Sequence, residues 1–253
     1  SSAASDVYKR QEFYGTIFYI AESTHTAGVI WVATDDGRLQ ITRNGGDSWV
    51  DVTPRNLKGA QINAIEVSPH EPGVAYIAVA GYKMNDFKPY IYKLTDFGKR
   101  WMRLDSDLPD DDFVRVVRAD PEREGLLYAG SEGGLFVSFD DGDHWQSLNM
   151  NFPTVPITDL RVRQNTLIAA TQGRGFWTLD ELTVIRQLNV NLSEKKLHVF
   201  KPKPSSLMRW GGRTAANEGK NPPSGVVFSY FLAEEFEGPC LLYTSDAADD
   251  IPR

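Results

Sequence analysis

The 253-residue chain has a single cysteine, so no disulfide framework holds it together. It has no apolar run approaching the ~20 residues that span a bilayer as a helix. It has no surplus of positive charge. A formal charge of −7 and a pI near 5.2 argue against a nucleic-acid partner. Its four histidines, His25, His70, His144 and His198, lie apart without metal-ligand spacing. P-loop, dinucleotide, nucleophile-elbow and zinc motifs are all missing, so neither cofactor nor metal is expected. What is present is 41% hydrophobic and 11% aromatic residues, enough for a core and too apolar for intrinsic disorder.

Both ends are set aside from the fold. Ser1–Gln11 is the residue-for-residue translation of an adapter used in transposase-based sequencing libraries. CLLYTSDAAD, starting at Cys240, is encoded by the reverse complement of the same oligonucleotide. Residues 1–11 and 240–253 are therefore expected to be non-native, which makes the remainder an internal fragment of a longer protein. The lone cysteine then falls outside the natural segment, and a signal peptide cannot be judged.

A self-comparison finds a short box repeated three times. It is carried by Asn44, Gly46 and Trp49, by Asp96, Gly98 and Trp101, and by Asp140, Gly142 and Trp145. The Asp/Asn positions are 52 and 44 residues apart, within the range of a propeller blade. The chemistry is that of a tight hairpin. Asp or Asn accepts backbone hydrogen bonds from its own turn, Gly takes a positive φ, and Trp opens the next strand and packs over the turn. Thr42 and Ser138 precede two of the boxes, whereas Leu94 stands in the third.

Apolar, β-branched and aromatic runs surround each box. They predict strands at 16–21, 29–34, 39–43 and 49–52, then at 61–68, 74–80, 90–95 and 101–104. A third set falls at 114–119, 126–131, 135–139 and 145–148, and a fourth at 157–163, 166–171 and 176–179, after which the box is lost. The fold class is all-β: a partial β-propeller of about four four-stranded blades over 12–190. Leu182, Ile185 and Leu188 then suit one helical turn capped by Asp180. A truncated β-rich segment follows over 191–239, with strand-like stretches at 197–204 and 225–232 and a Gly-, Asn- and Pro-rich loop at 209–223.

The boxes resemble the Asp-box, or bacterial neuraminidase repeat, of sialidases, oligoxyloglucan hydrolases and sortilin-type receptors. Wider phrases, the stretch from Asp86 to Gly98, Gly125-Leu-Leu-Tyr-Ala-Gly and Gln172-Gly-Arg-Gly-Phe-Trp-Thr-Leu-Asp, resemble large bacterial sortilin-like or "glycosyl hydrolase" repeat proteins. The resemblance covers about residues 16–190. It implies a propeller, a secreted or periplasmic location, and an immunoglobulin-like domain beginning at 191–239. Fold fixes activity poorly in such repeats.

With strands A to D running outward from the channel, A–B and C–D loops share one face, and B–C and D–A loops share the other. The boxes are C–D turns and structural. Ligand-binding residues are expected among the B–C loops: Asp35, Asp36, Asp86, Glu132 and Arg174. The D–A loops hold Lys58, Asp105–Asp112 and Asn149–Pro156. Gly81–Pro89 is the one long insertion, either a binding loop or local packing of Tyr82 and Phe87. Asp110–Asp112 lacks the ligand pattern of a calcium loop. Two functions stay open. One is binding of a protein, peptide or glycan, with no nucleic acid and no membrane span, in a protein completed by further blades. The other is glycoside hydrolysis, which needs two carboxylates at a defined separation. Sialidase chemistry is disfavoured because the B–C face has more acid than arginine.

Overall fold

The computed structural model describes residues 15–55, 57, 59–204 and 226–233, with only the backbone given for Val190 and Ser193. Residues 1–11 and 240–253, the 209–223 stretch and Lys58 lie outside these residues. The chain divides into two units, one through Arg186 and one from Gln187.

The first unit is a four-bladed β-propeller of antiparallel sheets. Blade one contains β1 (Ile17–Glu22), β2 (Ile30–Thr34), β3 (Leu39–Thr42) and β4 (Val50–Asp51). Blade two contains β5 (Gln61–Val67), β6 (Ala75–Ala80), β7 (Tyr90–Thr95) and β8 (Arg100–Arg103). Blade three contains β9 (Val114–Ala119), β10 (Leu127–Ser131), β11 (Leu135–Ser138) and β12 (Gln146–Ser147). Blade four has three strands, β13 (Ile157–Arg163), β14 (Thr166–Thr171) and β15 (Phe176–Leu179). In place of a fourth comes the helix α1 (Leu182–Gln187), whose Leu182 and Ile185 are buried. In the second unit, a 3-10 turn at Val190–Glu194 precedes β16 (Leu197–Val199), which pairs with β17 (Tyr230–Leu232).

Strand alternation explains the packing. Every residue of β6 is buried. Ala75, Ile77 and Val79 join the core shared with blade one, while Tyr76 and Ala78 join the core shared with blade three. A strand buried on both faces reads as a continuous apolar run. The same logic leaves the terminal faces bare. Ile65 of β5 is buried against blade one, but its counterpart in β1, Ile20, is 60% exposed. At the other end of the series, Phe176 is exposed. Each innermost strand also carries a bulge near its start, at Phe18, Asn63, Arg115 and Thr158. Bulges bend a strand and sharpen its twist.

The box turns and the A–B turns are tied together in three blades. The N–H of Gly45, Phe97 and Asp141 donates to the carbonyl of Gly28, Gly73 and Gly125 at 3.0, 2.9 and 2.8 Å. In the first and third boxes, Asn44 and Asp140 accept from the backbone N–H of Ser48 and His144 at 3.0 and 2.9 Å. There the Thr42 and Ser138 hydroxyls donate to the box side chain and accept from Gly46 and Gly142. Burial alone would raise the Asp140 carboxyl, but hydrogen bonds from His144 and Ser138 outweigh it and hold the group below its ordinary range.

The second box departs from this pattern. Leu94 supplies no hydroxyl, so the strands close directly around 96–99, with Thr95 paired to Arg100. Asp96 and Phe97 both take positive φ, and the Asp96 side chain meets Lys99 instead of the turn backbone.

The third box tryptophan faces the preceding blade, whereas Trp101 meets Tyr92 of its own blade edge-on at 5.8 Å. Trp145 is 6% exposed and donates its indole N–H to the Leu104 carbonyl of blade two. Trp49, in the first blade, is 42% exposed. Histidines add a second inter-blade link. His25 Nε2 donates to the Ser68 carbonyl at 3.1 Å, and His70 Nε2 donates to the Asp120 carbonyl at 2.7 Å. Each histidine sits two residues after a serine, Ser23 or Ser68, that accepts its backbone N–H. Where blade three meets blade four, Arg186 of α1 takes over, pairing with the fully buried Asp120 at 3.0 Å.

Candidate functional site

The B–C loops are joined to the D–A segments beside them. The N–H groups of Asp35, Glu132 and Gln172 donate to the carbonyls of Thr16, Phe113 and Pro156 at 3.1, 3.3 and 3.0 Å. The four candidate carboxylates of this face are all engaged by their own scaffold. Asp35 accepts from the N–H groups of Gly15 and Thr16, both at 2.9 Å. Asp36 accepts from the Thr34 hydroxyl and pairs with Arg38. Asp86 accepts from Lys88 N–H at 3.2 Å and Tyr90 O–H at 2.7 Å. Burial first, and then this bond to Asp86, push the Tyr90 phenol up to about 12. Glu132 pairs with Arg115. Asp112 is likewise committed, accepting from Gly133 N–H and Ser131 O–H, both at 2.7 Å.

The insertion Gly81–Pro89 is built on an aromatic anchor. Its 3-10 turn, Tyr82–Met84, stacks Tyr82 on Phe113 at 5.1 Å, and Phe87 approaches the same ring at 6.4 Å. Arg115 lies 5.1 Å from the other participant in this cluster, the Phe113 ring, while holding Glu132. The structure therefore brings the loop and Glu132 together through Phe113 and Arg115. Phe87 and Met84 nevertheless remain 47% and 48% exposed. Arg174, on blade four, is exposed, and its guanidinium makes no hydrogen bond or ion pair among the described residues. Among the described residues this face thus offers apolar contacts and the unpaired cations Lys83, Lys88 and Arg174 rather than free carboxylates.

A second polar centre lies where the innermost strands converge, on the side of the A–B turns. A cavity of about 410 Å³ is lined by β1, β5, β9 and β13, including Glu22, Glu66, Arg118, Arg161 and Arg163. Arg118, 3% exposed, donates to Asp159 at 2.7 Å, Tyr19 O–H at 3.0 Å, Glu66 at 3.4 Å and the Leu160 carbonyl at 2.8 Å. Burial works against its charge, but Glu66, Tyr19 and Asp159 more than compensate and raise its pKa. Burial pushes Glu66 up to about 6, against the pull of Arg118 and Arg161. No linear motif announces this cluster, because four strands from four blades each contribute to it. The Ser-x-His pair at Ser23/His25 and Ser68/His70 did carry a signal, a spacing of one blade.

Four successive antiparallel sheets whose innermost strands pack side by side define a β-propeller. No protein-family model matches the chain. An oligoxyloglucan-reducing end-specific xyloglucanase of Emericella nidulans is 28% identical over 109 residues, covering 42% of this chain and 14% of that protein. Among solved structures, the GH74 xyloglucanase from Xanthomonas campestris is similar with a TM-score of 0.52 and 20% identity, covering 66% of this chain and 28% of that one. A GH74 enzyme from Niastella koreensis is similar with a TM-score of 0.53 at the same identity and coverages. The chain spans less than a third of each of these proteins, and the structural likenesses establish the fold alone.

Proposed function

We propose that the chain is part of a secreted or periplasmic Asp-box propeller protein of the sortilin-like kind, and that it binds a glycan, peptide or protein across its B–C face. The observation that carries this reading is the insertion Gly81–Pro89. It is pinned from below by Phe113 and Asp86 while Phe87 and Met84 are held out to solvent. An apolar tip on a rigid base loses little conformational freedom on binding. Asp35, Asp36, Asp86 and Glu132 shape the loops, and Arg174 supplies a free charge at the rim. Further blades cover Ile20 and Trp49 in the intact protein. Residues 191–239 open an immunoglobulin-like domain, and 1–11 and 240–253 are non-native.

The test is a binding screen against polysaccharides and peptides, with F87A/M84A and R174Q beside the wild type. Binding at least tenfold weaker at unchanged melting temperature supports the assignment; unchanged binding in both variants removes it. The xyloglucanase relative favours a second reading, glycoside hydrolysis by two of the B–C carboxylates. Release of reducing sugar from xyloglucan, abolished by D86N or E132Q, would establish it over simple binding.

A further inference from the structure

We infer that the channel mouth beside the A–B turns binds a small ligand carrying an oxyanion, the carboxylate or sulfate group of an acidic sugar, through Arg161 and Arg163. The two residues lie two apart on β13, so their side chains leave the same side of the strand, about 7 Å apart along it. Both line the cavity of about 410 Å³, and neither guanidinium has a hydrogen bond or ion pair among the described residues. Arg118, beneath them, is already matched by Asp159, Glu66 and Tyr19. Glu22, Glu66 and Asp159 offset the charge of Arg118, Arg161 and Arg163, and Arg161 and Arg163 are the cations of this mouth whose N–H groups are left for a ligand. A guanidinium fork fits carboxylate and sulfate oxygens in a bidentate geometry. The cavity falls in the size range of small-molecule sites and so admits a sugar-sized ligand. The arginine pair that the B–C face lacks is found at the opposite mouth. The inference stands apart from the B–C reading, since no residue is shared.

The floor makes the affinity depend on pH. The groups around Glu66 are Tyr19 and Glu22 from β1, Arg118 from β9, and Asp159 and Arg161 from β13. With its carboxyl raised to about 6, Glu66 loses its charge as the medium is acidified through that value. That removes a negative charge facing the incoming anion, so binding tightens as pH falls.

The experiment is isothermal titration of the full chain with D-glucuronate, with sulfate and with D-glucose, at pH 5.5 and 7.5. Glucuronate or sulfate should bind several-fold more tightly at pH 5.5, and glucose should not bind measurably. The ratio of glucuronate to sulfate affinity tells which oxyanion the mouth prefers. R161Q/R163Q should weaken binding at least tenfold without lowering the melting temperature, and E66Q should bind equally at both pH values. Binding of glucose as strong as glucuronate, full binding by R161Q/R163Q, or no anion binding at pH 5.5 by a folded wild type would each overturn the inference. Loss of ligand in F87A/M84A alone bears on the B–C face and leaves this site standing.

Discussion

Adding one methyl group to each of the three box glycines separates what the turn requires from what the neighbouring blade requires. Gly46, Gly98 and Gly142 hold φ of 106°, 84° and 94°. Alanine strains the backbone similarly at all three, by about 1–2 kcal/mol. Their surroundings differ. A Cβ at Gly46 meets nothing within 4 Å, whereas at Gly98 it lies 2.6 Å from Val52 Cβ and at Gly142 2.8 Å from Leu104 Cδ1. Val52 ends blade one and Leu104 ends blade two, so the box glycine marks the point where a blade rests on its predecessor. Overpacking adds about 1–3 kcal/mol. G98A should therefore cost about 2–5 kcal/mol in all, and G46A only the backbone share of about 1–2. G142A should fall between them, because the Leu104 tip can rotate away more easily than the branched carbon of Val52. Urea denaturation followed by tryptophan fluorescence measures the three losses. In a unit of this size, each kcal/mol also moves the melting temperature by roughly 2–4 °C. Equal losses at the three positions, or the largest loss at Gly46, would refute the inter-blade role.

Two further outcomes follow from the polar links. H70A should cost about 1–3 kcal/mol, since it leaves the Asp120 carbonyl without its 2.7 Å partner; a variant as stable as wild type in the same urea titration would sink the stapling argument. Glu66 sets a pH dependence of stability. Its folded carboxyl titrates near 6 against an ordinary 4.5, so the folded state holds the proton more tightly across that window. Stability should fall as pH rises from about 4.5 through 6, by about 2 kcal/mol in total. E66Q should flatten this part of the profile, and a slope that persists unchanged in E66Q would show that another group is responsible.

The blade pattern was legible because each strand is short, apolar or β-branched, and bounded by a repeated turn. β7, β9, β13, β14 and β15 coincide with the predicted runs, and most other ends differ by one residue. The outermost strands fared worst. β4 and β12 keep only two residues each; in β12 the residue before the ladder, Trp145, is spent on the inter-blade contact with Leu104. The role of the tryptophans was half legible. Their position after a Gly-bearing turn was plain, but the surface Trp145 covers depends on a partner about 40 residues earlier in the chain. The bulges at Phe18, Asn63, Arg115 and Thr158 had no signal, since four chemically unlike residues occupy one structural position.

The polar sites divide along the same line. Asp35, Asp36, Asp86 and Glu132 could be located from loop order alone, yet their engagement could not, because a carboxylate that organises a turn and one that meets a ligand have the same one-letter code. Only partners decide: two backbone N–H groups for Asp35, Tyr90 for Asp86 and Arg115 for Glu132. Arg118 is the converse case. In sequence it is one of two arginines in a strand that otherwise reads as Val and Ala. In the fold it is the residue at which all four innermost strands meet, through Tyr19, Glu66 and Asp159. A buried guanidinium with every neighbour supplied by a different blade fixes the relative positions of those blades, since moving any one of them strands a charge in a poorly solvated channel. The same residue that locks the propeller also takes the direct hydrogen bonds of Glu66 and Asp159, so that Arg161 acts on Glu66 only through its charge.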